Sequence, residues 1–364
     1  MKRESILPGQ TVLVLQGGGA LGAYQAGVYE ALHDAGIEPD WVIGTSIGAI
    51  NAALIAGNAP ARRLPRLREF WRRVEQRSPF ATFATFTTGI PAFSTPRPLA
   101  WGGVHAPVGV ERASYYSTEP LKQTLLDLLE VEVLNAKSPR VTVGAVNVRS
   151  SEMRYFDSRD ERLSIEHVMA SGALPPAFPA VRIEGEAYWD GGVYSNTPLE
   201  AVLDDSPRRD SLIFGVNVWQ PLAAEPESIW QAMGRQKDIQ YASRADSHIA
   251  RQKQIHQLRH VIRELAKKVS EQEKDTAQCK ELASWGCGTI MHVVRLLAPA
   301  LASEDYLKDI DFSPAGIRAR WQAGLEDTRR VIERAPWRAP VDPMEGVIVH
   351  ELSARTDSEV KKAA

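Results

Sequence analysis

Cysteine is scarce: Cys279 and Cys287 are the whole thiol inventory of 364 residues. One pair cannot make a disulfide framework, and no Cys/His set has zinc-site spacing. Both are expected to be ordinary buried or half-buried small residues. Long apolar runs are also missing. Nothing approaches about 18 consecutive apolar residues, so no membrane-spanning helix is expected. The N-terminal MKRESILPGQ has charges but no apolar stretch long enough for a secretory leader, so a cytoplasmic location is the default. Net charge is small, −2, which gives no global pull toward nucleic acid or an anionic surface.

What is present suits a sizeable core: 44% of residues are hydrophobic and 24% charged. Residues 11–16 (TVLVLQ) form an apolar run suited to a buried parallel strand, and residues 22–35 carry helical spacing. Residues 41–43 (WVI) make a second short strand, and 47–57 a helix of small residues. Two strand–loop–helix units within 60 residues predict an α/β fold with a parallel sheet. Residues 141–147, 153–156, 212–219 and 289–298 also read as strands. No internal repeat is visible.

Between the first strand and helix lies GGGALG. Gly17, Gly19 and Gly22 fit G-x-G-x-x-G, a dinucleotide fingerprint in that context. A dinucleotide site also needs an acid at the end of the second strand, and Asp40 precedes that strand. The second strand instead ends in Gly44-Thr45-Ser46-Ile47-Gly48, a G-x-S-x-G elbow. Such a sharp turn exposes a serine hydroxyl at a helix N-terminus, where the dipole favours developing negative charge. The glycine loop then has another use. Amides of Gly17, Gly18 and Gly19 can face an oxyanion without side-chain obstruction. No cofactor and no metal are expected.

The serine needs a base. His248, His256 and His260 lie in a charged helical stretch and read as a solvated face. His292 sits in an apolar run, and His350 has no motif around it. Asp190, in Tyr188-Trp189-Asp190-Gly191-Gly192, suits a strand end where a carboxylate enters a tight site; its plainer reading is an Asp-Gly turn.

Taken together these motifs resemble the patatin-like phospholipases. The glycine loop from Gly17 to Gly22 and the elbow from Gly44 to Gly48 match two blocks of that family. Ala170-Ser171-Gly172-Ala173-Leu174-Pro175 and Asp190-Gly191-Gly192 match two more, in the same order. The resemblance spans roughly residues 10–220. It implies a three-layer fold with a mainly parallel central sheet. It also implies a Ser–Asp dyad, with Ser46 as nucleophile, Asp190 as base and the Gly17–Gly19 loop as oxyanion hole. Leu21 is a departure, since many members carry Arg or Lys there. The implied activity is hydrolysis of lipid carboxylic esters through an acyl-enzyme. A short polyester or a thioester offers the same carbonyl. An aspartate base also implies that no essential group titrates near the ordinary histidine pKa of about 6.5.

Two further readings stay beside this one. An NAD oxidoreductase rests on the glycine spacing alone, and a non-catalytic binding or oligomerisation module rests on the C-terminal half. Residues 223–364 read as a mainly helical extension, similar to that of a bacterial subset of the family, without a catalytic motif. Ile255, Leu258, Ile262, Leu265 and Val269 follow heptad spacing, a seam for self-association. The same stretch, Arg244 to Lys268, has seven Lys/Arg against two acids, which suits a solvated face or contact with anionic lipid. Ser313-Pro314 reads as a cap opening a helix to about Arg334. Residues 78–117 read as a lid or insertion, with Phe80, Phe83, Phe86, Phe93 and Trp101 lining an acyl channel.

Overall fold

The computed structural model describes residues 7–75, 95–96, 107–301, 304, 306–342 and 344–351, with backbone alone at 95–96 and 243–245. The five aromatic residues assigned above to a lid lie outside this set.

The sheet begins as the sequence predicts. Strand β1 (Gln10–Leu15) leads through a glycine turn into helix α1 (Ala23–Asp34). Strand β2 (Trp41–Thr45) leads into α2 (Ile47–Ala56), and α3 (Pro60–Val74) comes next. A two-residue antiparallel pair, β3 (Thr95–Pro96) with β4 (Tyr116–Ser117), stands apart from the main sheet. Helix α4 (Glu119–Leu128) leads on to β5 (Arg140–Asn147) and β6 (Met153–Asp157). Then come α5 (Ile165–Ser171), β7 (Val181–Ile183), β8 (Glu186–Asp190) and β9 (Ser211–Asn217). The C-terminal part supplies the long α6 (Ile229–Lys267), α7 (Ala277–Ser284), β10 (Met291–Leu297), α8 (Pro314–Arg334) and β11 (Val347–Glu351).

The nine-stranded sheet runs β11-β10-β9-β1-β2-β5-β8-β7, with β6 also on β5. From β11 to β5 every pairing is parallel, and β6, β7 and β8 join antiparallel. Alternation along the strands divides the core in two. Leu13, Leu15, Phe214 and Val216 face one side with residues of α1, α2 and α8. Val12, Val14, Ile43 and Ile213 face the other, under Val202, Leu203 and Ile249. Helices thus cover both faces, which is what a parallel sheet requires. Every residue of α2 is buried. Its small side chains allow close approach to the sheet, and that approach seats the N-terminus of α2 at the end of β2.

The C-terminal half shares this sheet. β10 pairs with β9 over seven residues, so residues beyond 222 extend the sheet that carries the glycine turn. Ser313 caps α8 with its hydroxyl on Gly316 N at 3.1 Å, and Pro314 opens it.

The heptad positions of α6 do not face the sheet: Leu258 and Leu265 are exposed, and Ile255, Ile262 and Val269 are half-buried. The helix buries Asp238, Ala242, Ile249, Gln252, His256 and His260 instead, and Val261 is exposed as well. The helix lies against β11 and residues 200–203, and it turns this mostly polar stripe inward. His256 and His260 are therefore not on a solvated face. Their Nε2 atoms meet the carbonyl oxygens of Leu203 and Thr289, each at 3.0 Å. Of the three, His248 alone is half-exposed, beside Glu200. Cys279 and Cys287 are free thiols, both half-buried. Among the described residues, no helix is long and apolar enough to cross a membrane.

Candidate active site

Ser46 is the residue between β2 and α2. Its backbone has φ 57° and ψ −127°, a strained conformation for a residue with a side chain. The strain is held from several sides. Ser46 N–H donates to Ser171 Oγ at 3.0 Å, and Ser171 Oγ donates in turn to the Gly144 carbonyl at 2.6 Å. Gly48 packs so tightly that a Cβ there would lie 2.2 Å from the Leu15 carbonyl oxygen. Gly44, next to last in β2, packs as closely under the elbow: a Cβ there would lie 2.2 Å from the Gly48 carbonyl oxygen.

Asp190 ends β8, and its backbone N–H donates to the Ala173 carbonyl at 3.0 Å. The side chain is 2% exposed, and its Oδ1 accepts the Gly192 N–H at 2.7 Å. Among the described residues, no cation lies beside it to compensate for burial. Its pKa is pushed up to about 7 by desolvation, against the opposing hydrogen bonds of the Ser46 hydroxyl and Gly192 N–H. This corrects the expected pH behaviour. An aspartate with this pKa titrates close to where a histidine would, so a group active near neutrality does not itself imply a histidine.

The glycine loop meets both residues. A Cβ on Gly17 would stand 3.0 Å from Ser46 Cβ. The Gly17 N–H is already committed: it donates to the Asn196 carbonyl at 3.1 Å. Gly17 is thus no oxyanion donor here, contrary to the sequence reading. Its carbonyl accepts Asn196 Nδ2 at 3.1 Å and Trp219 Nε1 at 2.7 Å. Because carbonyl and following amide point oppositely across one peptide plane, this clamp fixes the direction of the Gly18 N–H. The amides of Gly18 and Gly19 make no hydrogen bond to the described residues. Gly19 has φ +55°, and the Asp309 carbonyl would lie 2.2 Å from a Cβ there, so only glycine fits. Gly22 closes the short turn, packed on Ile47. Gly191 and Gly192 form a second turn behind Asp190. Leu21 is buried in the core and does not line the cavity.

Buried amides brace the loop from below. Gln25 Nε2 donates to the Gln16 carbonyl at 2.6 Å. Asn51 Nδ2 donates to the Gly22 carbonyl and to Gln25 Oε1 at 3.0 and 2.9 Å.

Ser46, Asp190 and the three glycines share one cavity of about 910 Å³, its open mouth included. Ile47, Ile50, Leu121, Leu174, Phe178 and Phe312 give it an apolar wall. Asn196, Trp219, Tyr241 and Asp309 add polar groups to the lining. Asp309 is bound by Lys237 Nζ at 2.7 and 3.0 Å. Sequence reasoning missed every contribution from beyond residue 222: Tyr241, Asp309, Ile310 and Phe312. No local pattern marks them, since they reach the site through the β10–β9 pairing and the α6 and α8 docking. It also missed Asn196, although that residue comes soon after the Asp-Gly-Gly block.

The histidines considered as bases are distant. His292 is level with Leu212, which is level with Thr11, at the start of the strands. Ser46 lies beyond the opposite ends, three strands across, so the separation is about 20 Å or more. His350 is one strand farther out, where its Nε2 meets His292 Nδ1 at 2.9 Å. Among the described residues no group of three His, Cys, Asp or Glu side chains could hold a metal ion.

Comparison with known proteins gives matches along both halves. The family model described as patatin-like phospholipase matches residues 13–203, and one described as patatin phospholipase matches residues 239–344. A cGAMP-activated phospholipase of Pseudomonas aeruginosa is 27% identical over 225 residues, covering 57% of this chain and 61% of that protein. Lysophospholipase nte1 of Aspergillus terreus is 46% identical over 77 residues, 21% of this chain and 5% of that protein. The chain thus spans less than two thirds of either relative. Among solved structures, VipD from Legionella pneumophila aligns at TM-score 0.41 and 14% identity, over 90% of this chain and 67% of that one. The ExoU–SpcU complex of P. aeruginosa aligns at TM-score 0.35 and 18% identity, over 90% and 52%. Those two scores are too low to carry an argument.

Proposed function

The chain belongs to the patatin-like phospholipase family, and from that premise we propose that it hydrolyses carboxylic esters of lipids through Ser46 and Asp190. The observation that carries the reading is the Asp190 carboxyl. It is almost fully buried at the cavity wall, has no cation beside it among the described residues, is pushed up to about 7, and stands against the Ser46 hydroxyl. A carboxylate with that pKa is basic enough to accept a serine proton near neutral pH.

In this scheme Ser46 Oγ attacks the ester carbonyl carbon while Asp190 takes the hydroxyl proton. Negative charge gathers on the carbonyl oxygen, where the Gly18 and Gly19 amides can donate to it. Each such donor contributes about 2.7–4 kcal/mol in comparable sites. The bond to the alcohol oxygen then breaks, and Asp190 returns the proton to that oxygen. Water attacks the acyl-Ser46 carbonyl with Asp190 again as base, releasing the acid. The wall from Ile47 to Phe312 suits an acyl chain. The relatives named above suggest phospholipid or lysophospholipid as the ester. We also propose that residues 10–222 carry the dyad and residues 223–351 complete the cavity.

A panel of esters varied in chain length and head group, run on wild type and Ser46→Ala, tests this. Hydrolysis by the wild type alone is expected, with a fluorophosphonate labelling Ser46. Labelling at another serine, or full activity in the variant, would overturn it.

A further inference from the structure

The hydrogen-bond donors of the cavity can be accounted for one at a time. The Ser46 hydroxyl faces Asp190. Asn196 and Trp219 each give an N–H to the Gly17 carbonyl, and the Gly17 amide goes to Asn196. The Gly18 and Gly19 amides serve the carbonyl oxygen of the ester in the scheme above. Of the hydroxyls and ring N–H groups lining the cavity, one makes no hydrogen bond to the described residues: the hydroxyl of Tyr241.

Tyr241 is firmly placed. It rises from α6, its ring centroid 4.9 Å from that of Trp219 with 35° between the planes. Its backbone carbonyl accepts Gln16 Nε2 at 3.1 Å. The residue is thereby tied to the glycine loop through both of its neighbours there. Burial raises the phenol pKa to about 12, with the charges of Asp190 and Asp309 adding to the effect. The hydroxyl therefore keeps its proton throughout the neutral range.

The lining also gives a substrate direction. Ile47, Ile50, Leu121, Leu174, Phe178 and Phe312 suit an acyl chain, which leaves the alcohol half of the ester to the polar lining that Tyr241 shares with Asn196 and Asp309, beside Trp219 and the glycine loop. We infer that the Tyr241 hydroxyl donates a hydrogen bond to the alcohol-side oxygen of the ester as that oxygen gains negative charge, making Tyr241 a catalytic residue supplied by the C-terminal half. The inference rests on the Ser46–Asp190 reading. Tyr241 keeps its proton throughout. The C–O bond breaks, its electron pair goes to the alcohol oxygen, and the proton that neutralises this oxygen comes from Asp190. A donor already in place strengthens as charge develops, which lowers the barrier instead of merely tightening binding.

Tyr241→Phe keeps the ring and its stacking on Trp219 and removes only the hydroxyl. The readout is kcat/KM on two butanoate esters that share an acyl group, an ethyl ester and a p-nitrophenyl ester. The alkoxide is a poor leaving group and depends on the hydrogen bond; the nitrophenolate depends on it far less. The ethyl-to-nitrophenyl ratio is expected to fall about ten- to a hundredfold, the range of a hydrogen bond to a charged group, with Tm unchanged. An unchanged ratio overturns the inference, whether both rates fall together or neither falls. Failure of the underlying reading looks different. There the wild type cleaves neither ester, or Ser46→Ala cleaves both, before Tyr241 is considered.

Discussion

The two halves of the chain build the same cavity by different means. Residues 10–50 contribute mainly backbone: two amides without a hydrogen bond to the described residues, a strained elbow and glycines where nothing larger fits. Residues 223–351 contribute side chains: Tyr241, Asp309, Ile310 and Phe312. The two acids lining the cavity, Asp190 and Asp309, differ too. Asp190 is buried with no counter-ion among the described residues, and burial pushes its pKa up to about 7. Asp309 is held by Lys237, while its backbone carbonyl takes the Ala20 N–H at 2.8 Å. Asp190 has only the Gly192 N–H and the Ser46 hydroxyl against its charge, whereas Asp309 is neutralised where the loop is supported. Burial raises a carboxyl's pKa most where no cation offsets it, and in the proposed scheme that is what lets Asp190 act as the base.

The largest effect expected on this contrast comes from the backbone half. Ser46→Ala should lower ester hydrolysis about 10⁴-fold or more, since loss of a nucleophile leaves only oxyanion binding. The variant should still unfold cooperatively.

Asp190→Asn comes next, with a loss of about 10²–10⁴-fold. It also has a stability signature of opposite sign. The native pKa is raised from 3.8 to about 7. Between those values the folded state binds the extra proton, so the free energy of unfolding falls as pH rises through this window. Above pH 7 the full cost, about three units or about 4 kcal/mol, is present. The amide carries no such cost. Asp190→Asn should therefore raise Tm clearly at pH 8 and much less at pH 4, while activity is lost at both. For the wild type, kcat/KM should fall below about pH 7. A Tm gain independent of pH would mean that Asp190 is not the buried, uncompensated acid described here.

A smaller effect separates the side-chain half. Ile310 lines the cavity on the segment leading into α8 and is only half-buried. Ile310→Trp should fill space an acyl chain would use. We expect turnover of long-chain esters to fall about tenfold relative to an acetyl ester, since each buried methylene is worth about 0.8 kcal/mol. Equal turnover changes at all chain lengths would remove the C-terminal wall from substrate contact.

The same contrast explains what the sequence made legible. β1, β2, α1 and α2 are local: an apolar run, a glycine turn and a small-residue helix each announce themselves within about 15 residues. Ser46 and Asp190 were visible because strand ends and glycines constrain their neighbours in the chain. The donor role of Gly17 was misjudged because its partner, Asn196, is 179 positions away. The inward face of α6 was misjudged because its buried stripe is largely polar, with His256 and His260 satisfied by backbone carbonyls that no periodicity reveals. The raised pKa of Asp190 depends on burial, which a sequence does not display.

The smallest expected effect concerns the histidines that an ordinary hydrolase triad would use. His292 and His350 are stacked, with centroids 5.2 Å apart and planes 5° apart, at the β10–β11 edge. Burial lowers both pKa values, which favours the neutral rings, and one neutral ring can donate to the other. Register fixes their distance from the chemistry. His292 is level with the start of β1, whereas the elbow lies past the end of β2. A proton cannot pass directly between groups about 20 Å apart, since transfer needs hydrogen-bond reach. His292→Ala and His350→Ala should therefore leave kcat/KM within about twofold of wild type. Each removes one side of a packed pair, so a loss of Tm by a few degrees is expected instead. If either variant abolished hydrolysis while its Tm held, a histidine would be serving the serine, and the difference drawn between Asp190 and Asp309 would lose its catalytic meaning.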